Sequence, residues 1–505
     1  MKKIIYTISV LLLTGSVYAQ EISITSSSKE LEQTFEWAKK KALSYVVTGK
    51  SGPVNVHQPD QKDVKEAVYI PSYWAGYPLR TAFYSRDYCH QLSGAHLLGL
   101  TEENYTMMKA FAASADAAKK WYPLWAINFD GSPYELDYRS DTDFVREVPA
   151  TFELVEKAYK LYCWTGDRRY IEDDVLWNYY TKAVTDFVTL HDTQFPNGVA
   201  EGTGEGDIFK GVATFNEQKD VSLIEAGDGI ACQYQAFVCY AKMAELRGDR
   251  ETAATFAQKA EALKTYFNTQ WGVDGTDLYN RGYSPEKKPV SGWGKENSWF
   301  MPMKSITDAE SERTRRYLDF IDERLDSKED IPENIEALSY IPEVFFQYHR
   351  NEEGWKWMKH IISTIDKGHS TGTYTGANGD YPEVSYVLIA NVVEGLAGVL
   401  PDAAENKLRT MSYLPKEIET LEIKHISFAG KSVSVSHVKT EATQISYTKG
   451  TGKLKWEVGF PGRYDRLYVD GKEVACTQRN ESGVVCSFCD LELSPGEQKR
   501  ITVRP

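Results

Sequence analysis

Between Ser72 and Gln91 the chain gathers Tyr73, Trp74, Tyr77, Arg80, Tyr84, Arg86, Asp87, Tyr88, His90 and Gln91. Aromatic faces stack on sugar rings, arginines bind carboxylates in a bidentate fork, and His, Tyr and Asp move protons. If a helix begins near position 85, Arg86 and His90 share one face, with Asp87 and Gln91 beside them. Polar groups at the threshold of an apolar helix cost free energy unless they have a partner or a task. The plain alternative is half-buried packing around a single Arg–Asp pair.

Two chemistries suit these residue types. Elimination at a uronate needs a group that neutralises the carboxylate, a base for the C5 proton and an acid for the leaving oxygen. Arg86, Tyr84, Tyr88 and His90 supply those types within a turn and a half, and His369, Thr371, Tyr374 and Asn378 form a second set. Arg139 and Arg146 add positive charge. Hydrolysis needs two carboxylates, one protonated and one ionised. Glu201-Gly-Thr-Gly-Glu205-Gly-Asp207 offers Glu205 and Asp207 first, while Asp137, Asp141, Asp143, Glu225, Asp228, Glu296, Asp380 and Glu383 compete. Acids of this second group also serve as ordinary helix N-terminal residues. Trp74, Arg80, Asp87, Gln91, Arg139, Trp293, His369, Tyr374 and Glu383 are candidate substrate contacts. Trp121, Trp125, Trp299, Tyr279 and Tyr283 are further candidate platforms.

No cofactor is evident and no metal site is legible. Cys486-Ser-Phe-Cys489 lacks a second ligand pair, and a disulfide from Cys476 to one of the two is the expected use. A divalent cation that neutralises a uronate is compatible with the sequence.

Helical periodicity places these residues. Twelve segments are predicted, roughly 29–47, 85–100, 102–118, 143–165, 168–192, 221–246, 249–270, 293–305, 307–323, 331–348, 351–364 and 380–399. Connections after the even-numbered segments are tight. Those before them are long, except 324–330. Tight turns make neighbours antiparallel, so the long loops gather on one rim, as in an (α/α)6 toroid of six helical hairpins. Loops on a rigid scaffold are where function concentrates.

After Pro401 the pattern changes to short alternating runs split by Gly, Asp and Asn: Leu421–His425, Lys431–His437, Gln444–Thr448, Leu454–Val458, Arg466–Val469, Val484–Phe488 and Lys499–Val503. The expected layout is a signal peptide over 1–19, a toroidal catalytic domain over 20–402 and a small β-sandwich over 403–505. Lys2-Lys3, the apolar run Ile4–Leu13 and Val17-Tyr18-Ala19 make the export signal, so the expected destination is a bacterial periplasm, with the cell exterior second. No later stretch is long enough to span a membrane. A net charge of −14 argues against nucleic acid. It leaves open a local arginine cluster that binds an acidic sugar.

The stretch Ala75-Gly-Tyr-Pro, Tyr84-Ser-Arg-Asp and Gly94-Ala-His-Leu-Leu-Gly-Leu100 resembles the first hairpin of six-hairpin glycosidases. Glu383 to Asp402 resembles their last helix and exit. The resemblance spans the chain after the signal and implies that Arg86 and Asp87 grip a terminal sugar. More narrowly, the chain is similar to the rhamnosyl-glucuronate lyases of gut Bacteroidetes. Fold alone does not fix the reaction. The expectation is an exo-acting lyase on a uronate-containing poly- or oligosaccharide, narrowly ahead of an inverting hydrolase with an Asp/Glu pair. A catalytically inactive glycan-binding toroid is the remote third.

Overall fold

The computed structural model describes residues 21–58, 60–215, 222–273, 277–295, 298–369 and 376–505. The export-signal run, Glu296, Thr371 and Tyr374 lie outside them.

The helices are of two kinds. Lys29–Ser44, Thr101–Ser114, Asp174–Val184, Arg250–Tyr266, Glu312–Asp326 and Asn351–Ile362 bury one stripe and expose the rest. Four of them start at a capping side chain: Ser28 accepts from Leu31 N, Asp173 from Leu176 N, Asp249 from Thr252 N and Ser311 from Thr314 N. These are the outer helices. Ser85–Leu97, Val148–Thr165, Gly227–Leu246, Phe300–Met303, the pair Ile335–Ser339 and Ile341–Gln347, and Pro382–Ala390 are buried on nearly every face. We number these first to sixth inner helix in chain order. None of the inner helices begins with a side-chain cap, so their first N–H groups and positive dipole ends are left to other partners.

Each inner helix packs on the next, and the sixth packs back on the first. Gly94 is where that last contact is made: a Cβ there would lie 2.1 Å from the Tyr386 carbonyl oxygen. Alanine has the better helix propensity by about 1 kcal/mol, but overlap with a backbone oxygen outweighs it. Gly94→Ala is expected to destabilise the protein by about 3 kcal/mol, read as a lower urea midpoint; an unchanged midpoint would contradict this close approach.

Several helices differ from the sequence expectation. The run 331–348 divides at Tyr340 because Pro342, lacking an N–H, starts a new helix rather than continuing one. The run 293–305 shortens to Phe300–Met303, and 143–165 opens on the strand Asp143–Phe144, paired with Tyr138–Ser140, before helix at Val148.

The C-terminal part is β-rich. Ser23–Ser26, Thr420–Phe428, Lys431–Val438, Ala442–Lys449, Gln498–Thr502, Arg466–Val469 and Lys472–Ala475 form one sheet in that order; Leu400–Asp402, Lys407–Met411, Leu454–Pro461, Val484–Leu493 and Thr477–Glu481 form a second. Alternate residues of both sheets, among them Ile423, Val435, Ile445, Trp456 and Phe488, are buried in one core. Ser23–Ser26, far away in sequence, closes the first sheet by pairing antiparallel with Thr420–Phe428. The cysteines are free thiols, and Cys476 Sγ donates to the Tyr464 carbonyl at 3.0 Å; the expected disulfide is not formed. Among the described residues no helix is long and apolar enough to cross a membrane.

Candidate active site

The first turns of the first, fifth and sixth inner helices converge on a cavity of 190 Å³. Tyr77, Arg80, Tyr84, Arg86, Asp87, Trp125, Asn334, Glu336 and Tyr381 line it. Asp87 is at the third helical position after Tyr84, Glu336 at the second after Asn334, and Glu383 at the second after Tyr381. Acids in a first turn face the positive end of the dipole, which favours their ionised form. Burial and mutual repulsion oppose it. The Glu383 carboxyl is pushed well above the usual range, first by burial and then by the charges of Asp87 and Glu336. The Tyr340 hydroxyl donates to Glu383 Oε1, while Oε2 is buried with no hydrogen-bond partner among the described residues. Buried polar atoms in that state are uncommon and concentrate where a protein works on a ligand.

The walls hold these acids in place. Tyr84 closes a short strand, Ala82–Tyr84, that pairs with Ala126–Asn128. Its ring stands edge-on to Trp125 at 4.9 Å, and its hydroxyl receives Arg80 Nη1 at 3.1 Å and donates to Asp137 Oδ2 at 3.2 Å. Burial pushes that hydroxyl well above its ordinary value, so it stays protonated. Trp125 Nε1 donates to Glu147 Oε2 at 3.0 Å. Arg86 donates to the Phe215 carbonyl at 3.1 Å, and the buried Asp228 fixes that loop by accepting from Phe215 N at 2.7 Å and Thr214 Oγ1 at 2.9 Å. Gly76 adopts φ 107°, and a Cβ on it would meet Tyr84 at 2.5 Å and Asp87 Oδ1 at 3.0 Å. Only glycine lets the chain pass this close to the acid.

Several sequence candidates lie elsewhere. His90 is one turn deeper on the first inner helix. Its ring stacks on Tyr340 at 3.6 Å and meets Phe300 edge-on, and burial lowers its pKa well below the ordinary value. It borders a different cavity, of 520 Å³, with Lys157, Lys160, Asn391 and Glu394. Tyr88 is buried in the core and donates to the Asn104 carbonyl at 2.7 Å. Gln91 is equally buried and donates to the Trp74 carbonyl at 3.3 Å; Trp74 itself packs on Phe129. Glu205 and Asp207 are exposed on the 201–210 loop, Glu205 paired with Lys210 at 2.6 Å. Their glycine spacing reflects turns at Gly204 and Gly206, both at positive φ. Arg139 is exposed, stacked on Phe209 at 3.8 Å and paired with Asp143 at 3.4 Å. Trp293 packs between Trp299 and Phe320 and donates to the Asp330 carbonyl. His369 stacks on Tyr381 at 5.4 Å and so backs the cavity wall. Tyr374 falls outside the described residues. Glu225, raised to about 7 chiefly by burial, accepts from Trp271 and Asn197 beside a separate cavity.

Arg80, Tyr84, Arg86 and Asp87 therefore meet in one cavity, with Glu383 against it. Glu336, Asn334, Tyr340 and Tyr381 were not singled out from sequence.

Compared with known proteins, the chain matches no protein-family model and no curated protein. Among solved structures it is similar to an alpha-L-rhamnosidase from Dictyoglumus thermophilum, with TM-score 0.62 and 13% identity over 95% of this chain and 50% of that one. It is similar to a rhamnosidase of Bacillus sp. GL1, with TM-score 0.58 and 12% identity over 86% and 41%. A third, an alpha-L-rhamnosidase from Aspergillus terreus, gives 0.55 and 9% over 94% and 50%. The likeness is one of fold. The chain spans about half, or less, of the length of these structures.

Proposed function

We propose that this protein is an exo-acting glycoside hydrolase that removes a terminal sugar, of the rhamnose type, from a poly- or oligosaccharide. The observation that carries the reading is that Asp87 and Glu336 line one small cavity while the buried Glu383 feels the charge of both. Three carboxyl groups this close do not all ionise. The neutral form resides first on Glu383, the most buried, leaving Asp87 and Glu336 at the cavity wall as the pair that exchanges protons with substrate. One, protonated, gives its proton to the glycosidic oxygen as the C–O bond breaks. The other, ionised, takes a proton from the water that attacks the anomeric carbon. Arg86 and Arg80 offer donors to sugar hydroxyls, and Tyr77, Trp125 and Tyr381 offer ring faces. A cavity of this size accommodates one sugar ring, which supports attack at a chain end.

The fold likeness to three rhamnosidases supports the same class, and the closed order of inner helices supports the (α/α)6 toroid expected over 20–402, while the β-sandwich expected over 403–505 also takes Ser23–Ser26 and Leu400–Asp402 into its sheets. Export through the N-terminal signal belongs to the same proposal. Elimination, the narrow favourite from sequence, fares worse: His90 is covered by Tyr340, Tyr88 is in the core, and neither lines the cavity. The test is the product released from a rhamnose-capped glucuronate oligosaccharide. Free rhamnose and a saturated remainder are expected; an unsaturated uronate would restore the lyase.

A further inference from the structure

Beside the candidate active site runs a groove of 450 Å³ lined by Lys119, Lys120, Arg146, His191, Gln194 and Lys210, together with Asp141, Glu201 and Glu205. Most of its charges are matched. Lys119 pairs with Asp116 and Asp141, and Lys210 with Glu205. Glu201 is fully used: its carboxylate accepts the backbone N–H groups of Thr193, Gln194 and Phe195 at 2.6–3.1 Å.

Two cations remain. Arg146 is half-buried, lies over the rings of Phe144 at 4.6 Å and Tyr122 at 5.8 Å, and donates to the Thr142 carbonyl at 3.2 Å. Neither it nor Lys120 has a carboxylate within ion-pair distance among the described residues. Burial lowers the Arg146 pKa, Asp143 and Asp207 offsetting this only in part. A guanidinium immobilised on two rings with most of its fork unused is arranged for a planar anion. Lys120 is presented by a turn in which it and Trp121 both adopt positive φ, 52° and 68°, a conformation that costs non-glycine residues free energy and persists where the surroundings impose it.

The groove also has a fixed relation to the cavity. Arg146 precedes Glu147 in extended backbone, φ −131° and ψ 132°, so their side chains point to opposite sides. Glu147 reaches Trp125 on the cavity wall, and Arg146 reaches the groove.

We infer that this groove holds an anionic sugar unit, bearing a uronate carboxylate or a sulfate ester, of the glycan whose terminal sugar enters the cavity. The inference rests on the hydrolase reading for what the cavity takes, but not for the binding of the anion. Calorimetry would use three probes of equal length: a galacturonate trisaccharide, a sulfated galactose trisaccharide and neutral maltotriose. Wild type is expected to bind at least one anionic probe, with affinity that falls as salt rises, and not the neutral one. Which anion binds separates carboxylate from sulfate. Arg146→Gln with Lys120→Gln is expected to weaken that binding tenfold or more while leaving hydrolysis of an aryl rhamnoside and the melting temperature unchanged. Wild type binding neither anion, binding all three probes equally, or a double variant binding like wild type would each overturn the proposal. Loss of anion binding in the variant, with no hydrolysis by either protein, would keep the groove and remove the hydrolase.

Discussion

Asp87→Asn and Glu336→Gln each lower kcat by about 10²–10⁴-fold, the span expected when a positioned acid or base is removed, with little change in melting temperature. An activated aryl glycoside separates the roles. The variant lacking the acid recovers on a leaving group that needs no proton, whereas the one lacking the base does not. His90→Phe, by contrast, keeps the ring stacked on Tyr340 and is expected to stay within about tenfold of wild type, because His90 meets no part of the cavity. A His90→Phe protein as inactive as the carboxylate variants would move the chemistry back to that histidine.

Lys304→Met is expected to produce the largest loss of stability. Lys304 ends the fourth inner helix, is almost fully buried, and reaches Glu153 Oε1 at 2.5 Å and Glu156 Oε2 at 2.6 Å on the second. Lys157 reaches the same two acids less closely, at 3.9 Å and 3.4 Å. Burial alone would neutralise Lys304, yet the two carboxylates hold its pKa well above the ordinary value. Removing one partner of a buried pair leaves uncompensated charge, at a cost of about 3–5 kcal/mol, whereas replacing the whole set by apolar groups costs far less. Glu153→Gln and Glu156→Gln added to Lys304→Met should therefore recover part of the loss. The dependence on pH has a sign. Burial raises the Glu156 carboxyl, but Lys157 and Lys304 bring it down to about 2 from 4.5. The stability it contributes is complete above 4.5 and fades as pH falls toward 2. The gap between wild type and Lys304→Met in urea midpoint should shrink over that range. A gap that widens instead would contradict the assignment.

Part of this site was legible in the sequence. Arg86 and Asp87 stood out because they cluster with aromatics just before an apolar helix, and the structure sets both on the cavity. Glu336 did not, because Glu333-Asn-Ile-Glu-Ala-Leu-Ser-Tyr340 is ordinary in composition and only the packing of the fifth inner helix on the sixth brings it to Asp87. A usable signal existed: one acid in the first turn of an otherwise apolar helix, the pattern that Glu383 also shows. His90 misleads for the opposite reason. Periodicity gives the face of a helix and not the depth, and four residues of about 1.5 Å rise each carry a side chain beneath the wall. The long-range pairing of Ser23–Ser26 with Thr420–Phe428 left no periodic trace at all, since a four-residue strand is too short to show one.

The most direct measurement follows a rhamnose-capped glucuronate oligosaccharide in ¹⁸O-labelled water, by product mass and ultraviolet absorbance together. Hydrolysis at Asp87 and Glu336 predicts that ¹⁸O enters the released rhamnose, with no absorbance from an unsaturated ring and a rate lowered about 10²–10⁴-fold in the Glu336→Gln protein. An absorbing product without label would contradict it.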